Sequence, residues 1–433
     1  MQIASQTFVD QGLKYTPKFY TLPLNHDDSN QGNIEVFVRE VTYADGSNHD
    51  RPWLVYFQGG PGFPSPRPNG HNGWIKRALK DYRVLLLDQR GTGHSSVITH
   101  QTLAAFDSEQ QADYLSHFRA DNIVRDAEHI RQEMGVEKWA ILGQSFGGFC
   151  SLTYLSMFPS SLLRSYITGG VPSIYPDADT VYQATFERVK EKNHAFFRQF
   201  PLAQTLCQRI ADHLMDNEEF LPNGQRFTVE QFQQIGISFG MSDTFLPTYY
   251  ALENALIDIN GKSVMRYEFL DLMLQHQGFQ THPIYAILHE AIYCQDAASN
   301  WSAHRVRQSY PEFNYQPGQA FYFTGEMVFP WMFEQYQCLK PLQPAAERLA
   351  QKADWGKLYD PEVLANNTVP MTCAVYADDM FVDMDLSRQT LKHVANSQAW
   401  ITNQYEHNGL RADGEHILDR LIAMGDQIAA NQA

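Results

Sequence analysis

Three side-chain types that together perform nucleophilic catalysis occur in this chain in one order, each just past a predicted strand. Ser145 sits in Gly143-Gln-Ser-Phe-Gly147, a G-x-S-x-G pattern that follows an apolar run ending at Leu142. Asp378 and Asp379 follow the strand-like Val369–Tyr376, and His407 follows the strand-like Trp400–Gln404. A serine hydroxyl is a weak nucleophile until a base takes its proton, and the imidazole that does so needs a carboxylate to orient it. The G-x-S-x-G pattern places the serine on a sharp turn between a strand and a helix, with its hydroxyl raised above the sheet. Glycines two before and two after leave room for the turn, and Gly148 adds space where the helix packs back on the strand. The bare pattern is weak evidence. The strand before it, the helix-compatible Phe149–Leu155 after it and the serine–acid–histidine order give it weight. His393 and His416 compete with His407, but each lies inside a predicted helix rather than at a strand end. Only one of two adjacent loop aspartates easily faces an imidazole, and the residues alone leave Asp378 and Asp379 open.

A second stretch offers backbone chemistry. The buried-strand signal Trp53–Phe57 runs into Gln58-Gly-Gly-Pro-Gly62, which presents free N–H groups past the end of a strand, where open α/β sheets bind ligands. This reads as an oxyanion-hole loop, against the plainer reading of a tight surface turn. The glycines of Asp88-Gln-Arg-Gly-Thr-Gly-His-Ser95 suggest phosphate binding only weakly, since no G-K-[ST] follows. Its Asp and Arg read as structural, ordering the loops around the site. Metal-assisted hydrolysis is the other route. His289-Glu290 begins like H-E-x-x-H, but Tyr293 occupies the fifth position, and His304 has no partner histidine at ligand spacing. No metal and no cofactor are expected.

The elements that must position these residues alternate in an α/β pattern. Short alternating runs over residues 1–50 predict antiparallel strands at a sheet edge. Then come strand 53–57, helix 74–79, strand 82–87, helix 121–134 with Asp121 as N-cap and Gly135 as its stop, strand 139–142, the serine turn with its helix, and strand 162–167. From Val171 to Gln343 the text reads as helices, with spans at 178–200, 202–215, 228–235, 249–259 and 283–293 and aromatics thick among them. The α/β pattern resumes with strand 369–376, helix 385–394, strand 400–404 and an amphipathic helix over 413–428. The expected organisation is a catalytic core of residues 1–170 and 344–433, with a helical cap at 171–343 inserted between core strands as a lid.

The bulk composition fits an ordinary soluble globular protein. The 433 residues are 43% hydrophobic and 19% charged, and the formal net charge is −16, which argues against a nucleic-acid partner. Five scattered cysteines without C-x-x-C spacing suit reduced thiols in the cytoplasm better than a disulfide framework or a zinc site. The opening Met1–Asp10 lacks a basic and an apolar segment, so no signal peptide is expected, and no apolar run approaches the ~18 residues of a membrane span. No membrane partner is expected, and nothing in the sequence specifies an oligomeric state.

Taken together, Gln58-Gly-Gly-Pro-Gly62, Asp88–Ser95 and Gly143–Gly148 resemble the prolyl aminopeptidases (proline iminopeptidases) of the α/β-hydrolase fold, and the large insertion resembles that of the family's larger-lid members. The family's first motif is H-G-G-P-G, so Gln58 departs from it at one side chain and keeps the glycines. The Glu-His-Asn-Gly-Leu-Arg ending is present as Glu406–Arg411. The resemblance implies Ser145 as nucleophile and His407 as base. It implies Asp379 as the acid, since the family aspartate precedes the histidine by about 28 residues and 407 − 379 = 28. It implies an oxyanion hole from the N–H groups of Gly59 or Gly60 and of Phe146. The family also holds the substrate's free amine with lid glutamates. Ala286–Tyr293 resembles the stretch carrying one of them, which points to Glu290, with Glu253 and Glu326 as candidates for the second. The implied activity is release of N-terminal proline, or a similar residue, from peptides with a free N-terminus. The alternatives are an esterase or lipase on the same fold and, last, a non-catalytic binding protein.

Overall fold

The computed structural model describes residues 6–175 and 177–431. The first five residues of the stretch read above as lacking a leader lie outside the described residues. Nine strands form one sheet: β1 (Phe8–Asp10), β2 (Leu13–Pro23), β3 (Asn33–Tyr43), β4 (Trp53–Phe57), β5 (Arg83–Asp88), β6 (Trp139–Gln144), β7 (Leu162–Thr168), β12 (Met371–Tyr376) and β13 (Ser397–Thr402). Four shorter strands, β8 to β11, lie between β7 and β12 and pair as two hairpins, Glu219–Phe220 with Arg226–Phe227 and Leu256–Ile259 with Lys262–Met265. The spatial order of the main sheet is β1-β2-β3-β5-β4-β6-β7-β12-β13. Its first strands are antiparallel, as their alternating polar pattern requires, and every pairing from β5 to β13 is parallel. This is the α/β-hydrolase architecture expected from the sequence.

The inner parallel strands β4, β5, β6 and β12 are near-continuous apolar runs because both faces are covered, whereas the edge strand β13 is mostly half-buried or exposed. In β4, Trp53, Val55 and Phe57 enter one core cluster, while Leu54 and Tyr56 enter the other. One face carries α1 (Gly73–Ala78) and the C-terminal helix Gly409–Ala430, packed around Trp74, Ile417 and Leu421. Of the helices α2 (Ser108–Ser116), α3 (Ala120–Glu133) and α4 (Phe146–Met157), α3 and α4 cover the other face. That second cluster continues without a break through α5 (Ala178–Gln199) into Phe232, Phe239 and Phe323.

Two local expectations are corrected. The N-cap of α3 is Arg119, not Asp121, which sits inside the first turn. The span 249–259 is not one helix: Phe245–Glu253 is helical, and the chain then turns into the hairpin Leu256–Met265. Among the described residues, no helix is long and apolar enough to cross a membrane.

Candidate active site

Because β4, β6, β7, β12 and β13 run the same way, the loops after them share one edge of the sheet. Ser145 stands between the last residue of β6 and the first of α4. Its φ of 55° and ψ of −125° lie in a region that side chains rarely adopt. A residue held there costs about 1–3 kcal/mol, which the surrounding contacts must offset. They include Ser145 N donating to Thr168 O at 3.0 Å and Gly148 N donating to Ser145 O at 2.7 Å. The turn closes because Gly147 lies against β4: a Cβ there would fall 2.0 Å from the Phe57 carbonyl oxygen.

After β12 the chain makes a tight turn through Asp379. Its Oδ1 accepts the Phe381 and Val382 N–H groups at 2.8 and 3.2 Å, which aims Oδ2 at His407 Nδ1, 2.7 Å away. Asp379 is fully buried, whereas Asp378 is exposed. His407 is buried too, with the Phe381 ring 4.6 Å from its own and its backbone N–H donating to Gly240 O at 3.1 Å. Burial alone would lower the imidazole pKa, but the carboxylates of Asp379, Glu326 and Glu406 outweigh it and hold the pKa above the ordinary value. The turn Gly169-Gly170 touches both halves of this arrangement. A Cβ on Gly170 would lie 2.2 Å from Ser145 O, and one on Gly169 3.2 Å from His407 Nδ1. His393 and His416 sit exposed, against Tyr175 and Trp400.

The Gln58–Gly62 loop approaches the serine so closely that only glycine fits. A Cβ on Gly59 would lie 2.9 Å from Ser145 Cβ. The next residue, Gly60, has φ +123°, and Phe146 supplies the first N–H of α4, a group with no intrahelical partner. The Asp88–Ser95 loop props this region. Asp88 takes Arg67 through both oxygens at 2.8 and 2.5 Å, and also accepts from the N–H groups of Ser65 and His94. Arg90 pairs through two nitrogens with buried Asp126 and donates to the carbonyls of Leu24 and His117.

The three glutamates expected to bind the amine fall in different places. Glu253 is exposed near the end of its helix, beside Tyr249. Glu290 is buried, but its two oxygens are engaged by the N–H groups of Ser302 and Ala303 at 3.0 and 2.9 Å. It therefore holds the start of the short helix Ser302–Val306. Glu326 is the one of the three that His407 feels. Burial would raise its pKa, yet His289, Tyr285 and His407 together hold it below the ordinary carboxylate value. Tyr285 donates its hydroxyl to Glu326 Oε1, and His289 Nε2 stands 3.4 Å from Oε2 without the alignment of a hydrogen bond. Tyr285 and His289 were not singled out from the sequence for this surrounding, although their i,i+4 spacing was visible. Two ion pairs from α5 also escaped the sequence: Lys192 to Glu406 at 2.5 Å and Arg188 to Asp383 at 3.0 Å. Among the described residues, no group of His, Cys, Asp or Glu is arranged to hold a metal ion.

Residues 52–276 match the alpha/beta hydrolase fold family. The chain is 55% identical to the proline iminopeptidase of Aeromonas sobria over 419 residues, covering 96% of this chain and 98% of that one. It is 36% identical to the proline iminopeptidase aneH of Aspergillus aculeatus, over 94% of this chain and 92% of the relative. Among solved structures, the proline iminopeptidase of Mycobacterium smegmatis aligns with a TM-score of 0.46 and 13% identity, covering 96% of this chain and 100% of that one.

Proposed function

The chain belongs to the proline iminopeptidase family of the α/β-hydrolase fold, and on that premise we propose that it is a serine exopeptidase releasing N-terminal proline from peptides. Ser145 Oγ attacks the carbonyl carbon of the first residue. His407 Nε2 takes the hydroxyl proton while Asp379 Oδ2 holds Nδ1–H and balances the imidazolium. The negative oxygen that forms is met by the N–H groups of Phe146 and of Gly59 or Gly60, each such donor being worth roughly 10²–10³ in rate. As the C–N bond breaks, His407 returns the proton to the departing amine. Water, deprotonated by the same imidazole, then cleaves the prolyl ester and restores Ser145.

Selection of the first residue is assigned to Glu326. A proline at the N-terminus carries a secondary ammonium, and a carboxylate largely withdrawn from water, as Glu326 is at 14% exposure, rewards it strongly. Glu326 replaces Glu290 in this role, because both oxygens of Glu290 are taken by backbone donors. Glu253, exposed, is set aside. Tyr182 and Tyr293, both within electrostatic reach of Glu326, would wall the pyrrolidine ring. Residues 171–343 act as the cap and residues 1–170 and 344–433 as the core. A cytoplasmic location is supported by five unpaired cysteines, four of them buried.

The observation that carries this reading is one imidazole held by Asp379 at 2.7 Å and at the same time sensing a carboxylate from the cap. A panel of aminoacyl-naphthylamides tests it. Prolyl substrate should be turned over far faster than N-acetylprolyl substrate, and Ser145→Ala should lose both turnover and labelling by a fluorophosphonate. Equal rates on the free and acetylated substrates, or labelling that survives Ser145→Ala, would overturn it.

A further inference from the structure

We propose that the cleft on the leaving-group side of His407 is a carboxylate-binding subsite, so that short peptides with a free C-terminal carboxylate are the preferred substrates. The inference rests on the exopeptidase reading above and names its substrate class. The acid that protonates a departing nitrogen must touch it, so the chain beyond the scissile bond leaves across the imidazole. A cleft of about 440 Å³ has His407 and Gln144 in its wall, and on this proposal it is the cleft that takes the leaving chain.

The charge of that cleft runs against the charge of the protein. The chain has 49 acidic and 33 basic residues. Yet the cleft is lined by two guanidiniums, Arg67 and Arg411, by the amides of Gln58, Asn72 and Asn408, and, among the described residues, by no Asp or Glu. Arg67 is fixed in place by Asp88. That same buried carboxylate must also serve Arg39, whose guanidinium is disfavoured by burial and by Arg67. One anion between two cations leaves this wall positive. Arg411 reaches Asp243 at 3.0 Å, but both side chains are 66% exposed, so the pair is weak and the guanidinium is free to turn to a ligand.

The site therefore offers a carboxylate on the cap side, at Glu326, and guanidiniums on the leaving side. That is the charge pattern of a short zwitterionic peptide. Each residue extends the chain by roughly 3.3–3.6 Å, so on this proposal only short peptides keep their carboxylate beside the guanidiniums.

The test is kcat/KM for prolyl-alanine against prolyl-alaninamide, at low and high salt, in wild type and in Arg411→Gln, Arg411→Glu and Asp243→Asn. The expected wild-type preference for the free acid is about three- to tenfold at low salt and smaller at high salt. Arg411→Gln should bring the ratio toward one, Arg411→Glu should invert it, and Asp243→Asn should widen it. A wild-type ratio of one or less, or a ratio unmoved by both Arg411 variants, overturns the subsite. Failure to release proline from either peptide or from prolyl-naphthylamide overturns instead the exopeptidase reading on which it stands.

Discussion

Replacing Glu326 by Gln separates recognition of the substrate ammonium from the chemistry of bond cleavage. Glutamine keeps the shape of the side chain and an oxygen that still accepts the Tyr285 hydroxyl, so the pocket should hold together. What disappears is the charge. A carboxylate and an ammonium about 4 Å apart interact by about 4 kcal/mol at an effective dielectric constant near 20, which sets an upper limit. Truncating one partner of a buried, hydrogen-bonded charge pair typically costs about 2–5 kcal/mol. The overlap, about 2–4 kcal/mol, corresponds to a loss of roughly 30- to 1,000-fold in kcat/KM. The assay compares prolyl-naphthylamide, which carries the ammonium, with a simple acetyl ester, which does not. The prolyl substrate should lose activity on that scale while the ester loses far less. Parallel losses on the two substrates would mean that Glu326 acts through His407 or through the fold, and would refute its assignment to the amine.

Glu290→Gln should behave in the opposite sense: a lower melting temperature, from about 1 kcal/mol of lost capping at Ser302–Val306, with a fall in prolyl turnover much smaller than that of Glu326→Gln. The pKa of His407 is raised and its neutral form is the active base, so kcat/KM should be full above that raised pKa and fall as pH drops through it. The acid limb should therefore lie above pH 6.5, the ordinary histidine value, and should move downward in Glu406→Gln, which removes one of the carboxylates holding it up. An unmoved limb would dissociate Glu406 from the base. Arg90→Ala strands the buried Asp126 with only His26 beside it and should cost about 3–5 kcal/mol, read as a large drop in thermal or urea stability.

The parts of the site that were legible in the sequence are those whose reasons are local. A buried parallel strand is a short apolar run, and the turn after it is spelled in glycines, so the loops bearing Gly59 and Ser145 could be placed by pattern, while His407 could be placed only by following the last strand, which is half exposed. Asp378 and Asp379 could not be separated by their own residue types. What separates them is the turn after β12, where one oxygen of Asp379 takes two backbone N–H groups and leaves the other for the histidine. The surroundings of Glu290 were hidden for a similar reason. The left-handed residues Asn300 and Trp301, with φ of 47° and 56°, turn the N–H groups of Ser302 and Ala303 onto its carboxylate. One miss was legible: Asn260-Gly261, with φ of 54° and 78°, is a strong hairpin signal, and the helix expected over 249–259 ran into its first strand.

The ties that join residues 188–242 to residues 383–408 belong to a different class, because their partners are distant in sequence. Lys192 reaches Glu406, Arg188 reaches Asp383, Gly240 accepts from His407 N, and Asn408 accepts from Ser242 N at 3.2 Å. These contacts are separated by about 165 to 215 residues, so no period or motif announces them. All of them end on the two loops that carry Asp379 and His407. A helix that does nothing but cover a pocket has no need to grip both of those loops. On the proposed division, the inserted helices would bear on the alignment of His407 and Asp379 as well as on what enters. A substitution in α5, far from any bond being broken, should on this account change the pH profile along with the substrate range.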